Sequence, residues 1–209
     1  MPNFSAVITA DIVNYTRLSK ADEKKLITVL SSLLKEHKFE FYRGDSFQVY
    51  VPDPSKALRI ILQLRSLAIR LNGTATFSVD IRSSIAIGFV KSRVKKLQTA
   101  SDEAFVLSGR SFDAMRMGQR LVISCNKKNA AAGYGLEILA GFIDYLFHDL
   151  TAKQAHVVHE LLKGKNQLEV AHFLKKSQAT VHKHVKAAGW PEMEKLLTQY
   201  VQLVKTIES

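Results

Sequence analysis

The 209-residue chain is expected to fold as an α+β protein, a ferredoxin-like domain followed by an all-α domain. Three observations carry this expectation. Strand-type and helix-type segments alternate in the order β α β β α β as far as Asp149; a tight-hairpin signal sits inside that series; and the strand signal disappears downstream. The corresponding units are 1–132 for the α+β domain, 133–149 for a connecting helix and 150–209 for the helical domain.

Each element has its own signal. Phe4 to Ile12 is apolar and β-type, and reads as the first strand. Lys20 to His37 places Leu26, Val29, Leu33 and Leu34 on one helical face. Phe39 to Tyr42 and Phe47 to Val51 are short strands separated by "RGDS", where Gly44 and Asp45 tolerate a tight turn. Asp53 and Ser55 flank Pro54 ahead of "KALRIILQLRSLAIRL", whose apolar residues recur at helical spacing until Gly73. "TFSVDIRSSIAIGFV" is the strongest strand, followed by a helix over Phe105 to Gly118 and the strand "RLVISC". Leu136 to Phe147 reads as the connecting helix. Beyond it, three short helices broken at Gly164 and around Lys176 precede a last helix from Pro191 onward. Thr151 and Ser177 suit N-caps, Pro191 a first helical turn, and Gly189 a helix end.

Composition narrows the partners. A formal charge of +11 favours an anionic partner such as nucleic acid. One cysteine, Cys125, excludes an internal disulfide and suits a reducing compartment. "MPNFSAVITADIV" has no basic leader and no cleavage-like small-residue site, so a secretory signal is not expected. The most apolar window, "GLEILAGFIDYLFHDL", is interrupted by Glu137, Asp144 and His148, short of the roughly 20 apolar residues a bilayer span needs. The expectation is a cytoplasmic protein with no membrane partner.

In the helical domain, Val170, Leu174, Val181 and Val185 take inward positions and Ala171 is small where two helices approach. With "SQATVHKHV", the stretch from Glu169 to Val185 resembles the helix-turn-helix of response regulators and sigma-factor-like proteins. That resemblance implies a second helix whose outward N-terminal residues enter the major groove of double-stranded DNA. By position, Gln178, Ala179, Thr180, His182 and Lys183 are the implied readers, and Lys175, Lys176 and Lys186 the phosphate contacts. Lys175 and Lys176 stand where the motif holds a glycine and an apolar residue. Six lysines face one glutamate between residues 163 and 186, so affinity for a duplex would fall steeply with salt.

In the first domain, "ADIVNYT" followed by "RGDSFQVYV" resembles the core signature of class III nucleotidyl cyclases. The chemistry of such a pair is that two carboxylates at one sheet edge share Mg²⁺ while the loop after the first offers N–H groups to a triphosphate. The resemblance implies Asp11, Asp45 and the Ile12 carbonyl as metal ligands, the backbone of Asn14, Tyr15 and Thr16 as a phosphate cradle, and Mg²⁺ with a nucleotide as ligands. Asn14 replaces the usual glycine and can itself take a left-handed turn. The family's purine-selecting lysine falls on Phe41, and its transition-state Asn and Arg fall on Asp113 and Met117; Arg116 is the neighbouring cation toward a nucleotide.

Over most of its length the chain resembles the SatD family. The shared residues are Gly44, Asp45, Phe47 and Gln48; Ile81, Arg82, Ile85 and Gly88; Gly109, Phe112 and Arg116; and Ala188, Gly189 and Trp190. These resemblances imply a nucleotide-cyclase-type α+β domain and a C-terminal helix-turn-helix. The functional expectation is a non-enzymatic, DNA-binding transcriptional regulator whose first domain senses a ligand or dimerises; the alternative is a Mg²⁺-dependent enzyme using Asp11 and Asp45. A homodimer is expected, with Leu136 to Phe147 and Leu196 to Val204 as candidate faces.

Overall fold

The computed structural model describes residues 3–71, 77–91, 94, 96–97, 99–126 and 130–208; Gly73, expected to end a helix, lies outside them. β1 (Asn3–Val13) is the strand around which the sheet is laid. It pairs antiparallel with β3 (Ser46–Val51) on one side and β4 (Asp80–Val90) on the other. β2 (Lys38–Tyr42) forms a hairpin with β3, and β5 (Leu121–Cys125) runs parallel to β4, giving the order β2-β3-β1-β4-β5. The first four strands have the ferredoxin-like order, and β5 extends them through a helical crossover, as a parallel neighbour requires.

The strand period of two sorts the faces. Ala6, Ile8, Ala10 and Ile12 point into the main core beneath α1 (Lys20–Leu34) and α2 (Ala57–Arg70). Val7 points the other way, to a smaller cluster with Ala104 and Phe105 of α3 (Glu103–Asp113). Asp11 and Thr9 share the face of Val7, so the carboxylate ends a strand whose other face is core.

Two expected boundaries move. α1 stops at Leu34 rather than His37, with Leu26, Leu30 and Leu34 fully buried on its inner edge. α3 runs from Glu103 to Asp113 rather than over Phe105 to Gly118. Asp102 starts it in an extended conformation, and the chain leaves it in a turn through Gly118, whose φ is +85°.

Beyond β5 come α4 (Ala130–His148), α5 (Ala152–Leu162), α6 (Gln167–Leu174), α7 (Gln178–Ala187) and α8 (Trp190–Glu208). α4 is longer than the expected connecting helix and by length and composition alone meets the requirement for a membrane span. What fixes it here is packing: Leu136, Leu139, Ala140, Ile143 and Phe147 are buried, while Tyr134, Ile138, Phe142 and Tyr145 stay exposed. The inward residues of α8, including Leu196, Leu197, Tyr200 and Val204, are also part of the core.

One apolar core runs from β1 to α8, and polar links tie its parts together. Arg65 of α2 is 1% exposed, donates to both oxygens of Asp80 at 3.1 and 2.8 Å, and reaches Asp144 of α4 at 2.7 Å. The second Asp144 oxygen accepts from the backbone N–H groups of Arg120 and Leu121, at 2.8 and 3.0 Å, which fixes the start of β5. Arg59 and Gln63 of α2 donate to the Leu162 carbonyl at the end of α5. The buried Tyr200 hydroxyl of α8 donates to the Pro54 carbonyl at 2.8 Å.

Candidate functional site

Asp11 lies near the end of β1, opposite Ser46 of β3 and Arg82 of β4 in the two ladders. The hairpin turn brings Asp45 beside it, and the Ile12 N–H donates to the Asp45 carbonyl at 3.1 Å. A residue within an antiparallel strand points N–H and C=O to the same neighbour, so the Ile12 carbonyl also faces the Asp45 side. The two carboxylates and the carbonyl named from the sequence are thus brought to one corner of the sheet. Burial pushes the Asp11 carboxyl above its ordinary range; Arg82 and Arg120 pull it back, and Asp45 pushes it further up.

The turn after β1 forms as the sequence suggests. Asn14 takes the left-handed conformation at φ 61° and ψ 23°, and its side-chain amide donates to the Ser78 carbonyl at 2.7 Å. Asparagine therefore supplies both the turn and a tether to the segment before β4, which glycine would lack. Tyr15 to Arg17 form one 3₁₀ turn, with the Arg17 and Leu18 N–H groups closing on the carbonyls of Asn14 and Tyr15. Tyr15 lies beside Gly44, where an added Cβ would meet its ring at 3.7 Å; Thr16 is exposed.

The residues transferred along α3 do not converge on Asp11. Because the helix ends at Asp113, Met117 falls in the following turn and is fully exposed, and helical spacing from Asp113 no longer applies. Arg116 is exposed in the same turn, its N–H bonded to the Gln119 side chain at 3.2 Å. Phe41 packs on Phe47 at 5.0 Å between ring centres, on the face of the main core. A groove of about 560 Å³ opens between α3 and the β3 side of the sheet, lined by Thr9, Tyr42, Arg43, Gln48, Phe105 and Phe112 among others.

The cation nearest Asp11 is a residue that the sequence did not mark as part of the site. Arg82 Nη1 lies 3.8 Å from Asp11 Oδ2, and both side chains are 28% exposed. Its Nη2 donates to the carbonyls of Phe112 and Met115 at 3.4 Å each, and the guanidinium stacks over the Phe112 ring at 4.8 Å. As arranged, the corner does not fit a resident Mg²⁺. Among the described residues no group of three His, Cys, Asp or Glu side chains gathers there, and one of its two carboxylates already faces a guanidinium.

The second candidate is the surface of α6 and α7. Asn166 and Glu169 form a capping box that starts α6, and Ser177 caps α7 by accepting from the Thr180 N–H at 3.2 Å. Lys175 takes the left-handed position between them at φ 53°, and the Lys176 and Lys175 N–H groups return to the carbonyls of Ala171 and His172. This is a Schellman closure made by a lysine where glycine is usual. Val170, Ala171, Val181 and Val185 are buried and Leu174 packs against them, as the sequence pattern requires. Gln178, Ala179, His182, Lys183 and Lys186 face outward with Lys175 and Lys176; Thr180 is half-buried, its hydroxyl 2.9 Å from that of Ser177. Among the described residues, none of these four lysines lies within ion-pair distance of a carboxylate.

No family model matches the chain, and no curated protein matches it. Among solved structures, the monomeric guanylyl cyclase domain of the RhoGC fusion protein from the aquatic fungus Blastocladiella emersonii aligns at 21% identity with a TM-score of 0.45, covering 59% of this chain and 81% of that one. The catalytic core of a rhodopsin-guanylyl cyclase with converted specificity, in complex with ATPαS, aligns at 21% identity with a TM-score of 0.46, over 65% and 81%. At these values the superpositions describe a partial likeness in fold and say nothing of ligand or reaction.

Proposed function

We propose that this chain is a DNA-binding regulator in which α6 and α7 form a helix-turn-helix and the α+β domain is a degenerate, cyclase-like sensing or dimerisation domain. The observation that carries the reading is the exposed, unneutralised lysine set around the start of α7. Gln178, Ala179, His182 and Lys183 project from a helix whose other side, Val181 and Val185, is anchored in the core. A rigid helix with a polar outer N-terminal half is the shape that reads base edges, while Lys175, Lys176 and Lys186 meet phosphates.

The test is fluorescence anisotropy of the full chain on labelled random duplexes at about 50 and 200 mM salt. Binding at the lower salt that weakens at the higher, and weakens further when Lys175, Lys176 and Lys183 become Gln, is the expected result. No binding at low salt, or binding indifferent to those changes, refutes the reading.

A further inference from the structure

Arg82 stands directly across from Asp11 in the β1–β4 register, and every other contact it makes holds it there. The Phe112 and Met115 carbonyls at the end of α3 accept from its Nη2, where the helix carries its partial negative charge, and the Phe112 ring lies beneath the guanidinium. Arg82 therefore finishes α3 and faces Asp11 with the same group. Arg120 adds a second positive charge that acts on Asp11, and the N–H of Arg120 is pinned by the Asp144 carboxylate. Two carboxylates, Asp11 and Asp45, are thus matched by two guanidiniums, and the formal charges of the four sum to zero. A divalent ion needs carboxylate oxygens at about 2.0–2.1 Å in a near-octahedral shell, or somewhat farther for larger ions. Entering here, it would gain no net negative charge and would sit beside a guanidinium that α3 prevents from retreating.

We infer that Arg82 is a resident cation that takes the electrostatic place of a divalent metal, so that the Asp11–Asp45 corner binds neither Mg²⁺ nor Mn²⁺ until the charge of Arg82 is removed. The corner is then a latent divalent-cation site silenced by one side chain. This goes beyond the DNA-binding reading and stands or falls separately from it, because the measurement contains no nucleic acid.

The experiment follows the free Mn²⁺ electron paramagnetic resonance signal on adding the full-length chain, with thermal melts to confirm folding. Wild type and Arg82→Lys are expected to leave the free-ion signal unchanged up to millimolar Mn²⁺. Arg82→Gln and Arg82→Met are expected to bind one Mn²⁺ at least tenfold more tightly, and Asp11→Asn added to Arg82→Gln to abolish that binding. Wild-type binding that is lost in Asp11→Asn overturns the inference. So do folded Arg82→Gln and Arg82→Met chains that bind no better than wild type, or an Arg82→Lys chain that binds as well as they do.

Discussion

At Asp11 the chain meets a carboxylate with its own Arg82 at 3.8 Å, whereas Lys175, Lys176, Lys183 and Lys186 on α6 and α7 meet no carboxylate among the described residues. The difference separates charge that builds the fold from charge directed outward. In the α+β part the arginines are locked from several sides, as with Arg65 between Asp80 and Asp144 over the Phe147 ring. Around α7 the lysines are solvated on a helix already anchored by its apolar side. A net charge of +11 therefore concentrates attention on one surface rather than on the molecule as a whole.

Removing an internally matched charge gives the largest expected effect. Arg65→Met strands two carboxylates against the core and is expected to cost about 3–5 kcal/mol in urea unfolding; a loss under about 1 kcal/mol would show that the cluster is not structural. A buried base behaves similarly. Burial pushes His159, which bonds Ser66 at 3.2 Å, down to about 4, with Lys163 and Arg70 acting in the same direction and Glu160 opposing. The unfolded chain takes up this proton near pH 6.5, so stability is full above that pH and falls as pH drops toward 4, by up to about 3 kcal/mol. His159→Gln should flatten that part of the stability–pH curve; an unchanged slope would assign it to other groups.

The outward-facing side should behave differently. Lys175→Gly relieves a left-handed lysine and is expected to stabilise the fold by about 0.5–1 kcal/mol in thermal melts, while weakening duplex binding. A stability loss would mean that the Lys175 side chain holds the turn. Lys183→Gln and Lys186→Gln, which remove no internal partner, should change stability by less than about 0.5 kcal/mol. A larger cost would mean that these lysines do have an internal partner, and the contrast with Arg65 would fail.

Much of this was legible in the sequence because it depends on short range. The αL turn at Asn14, the hairpin around Gly44, the caps at Thr151 and Ser177, and the buried positions of α6 and α7 all follow from neighbours within a few residues. The unusual lysines at the turn also proved compatible, since a Schellman closure needs a backbone angle more than a particular side chain. What escaped depends on register. Arg82 meets Asp11 only because β4 pairs with β1 in one alignment, although a lone arginine in "DIRSSIAIG" was a signal that the strand faces an acid. Arg65 likewise stands on the apolar stripe with Ile61, Leu62 and Ala68, where a charge implies buried partners. The end of α3 was misplaced because apolar spacing continues into Met115 after the backbone has left the helix.

The most direct test of the outward-charge account is the salt dependence of duplex binding in the full chain, comparing wild type with the Lys175, Lys176 and Lys183→Gln triple variant. The account predicts a slope of log affinity against log salt shallower in the variant by roughly 3, about 0.9 for each phosphate that a replaced lysine no longer neutralises. Equal slopes, or no measurable binding by wild type at low salt, would contradict it.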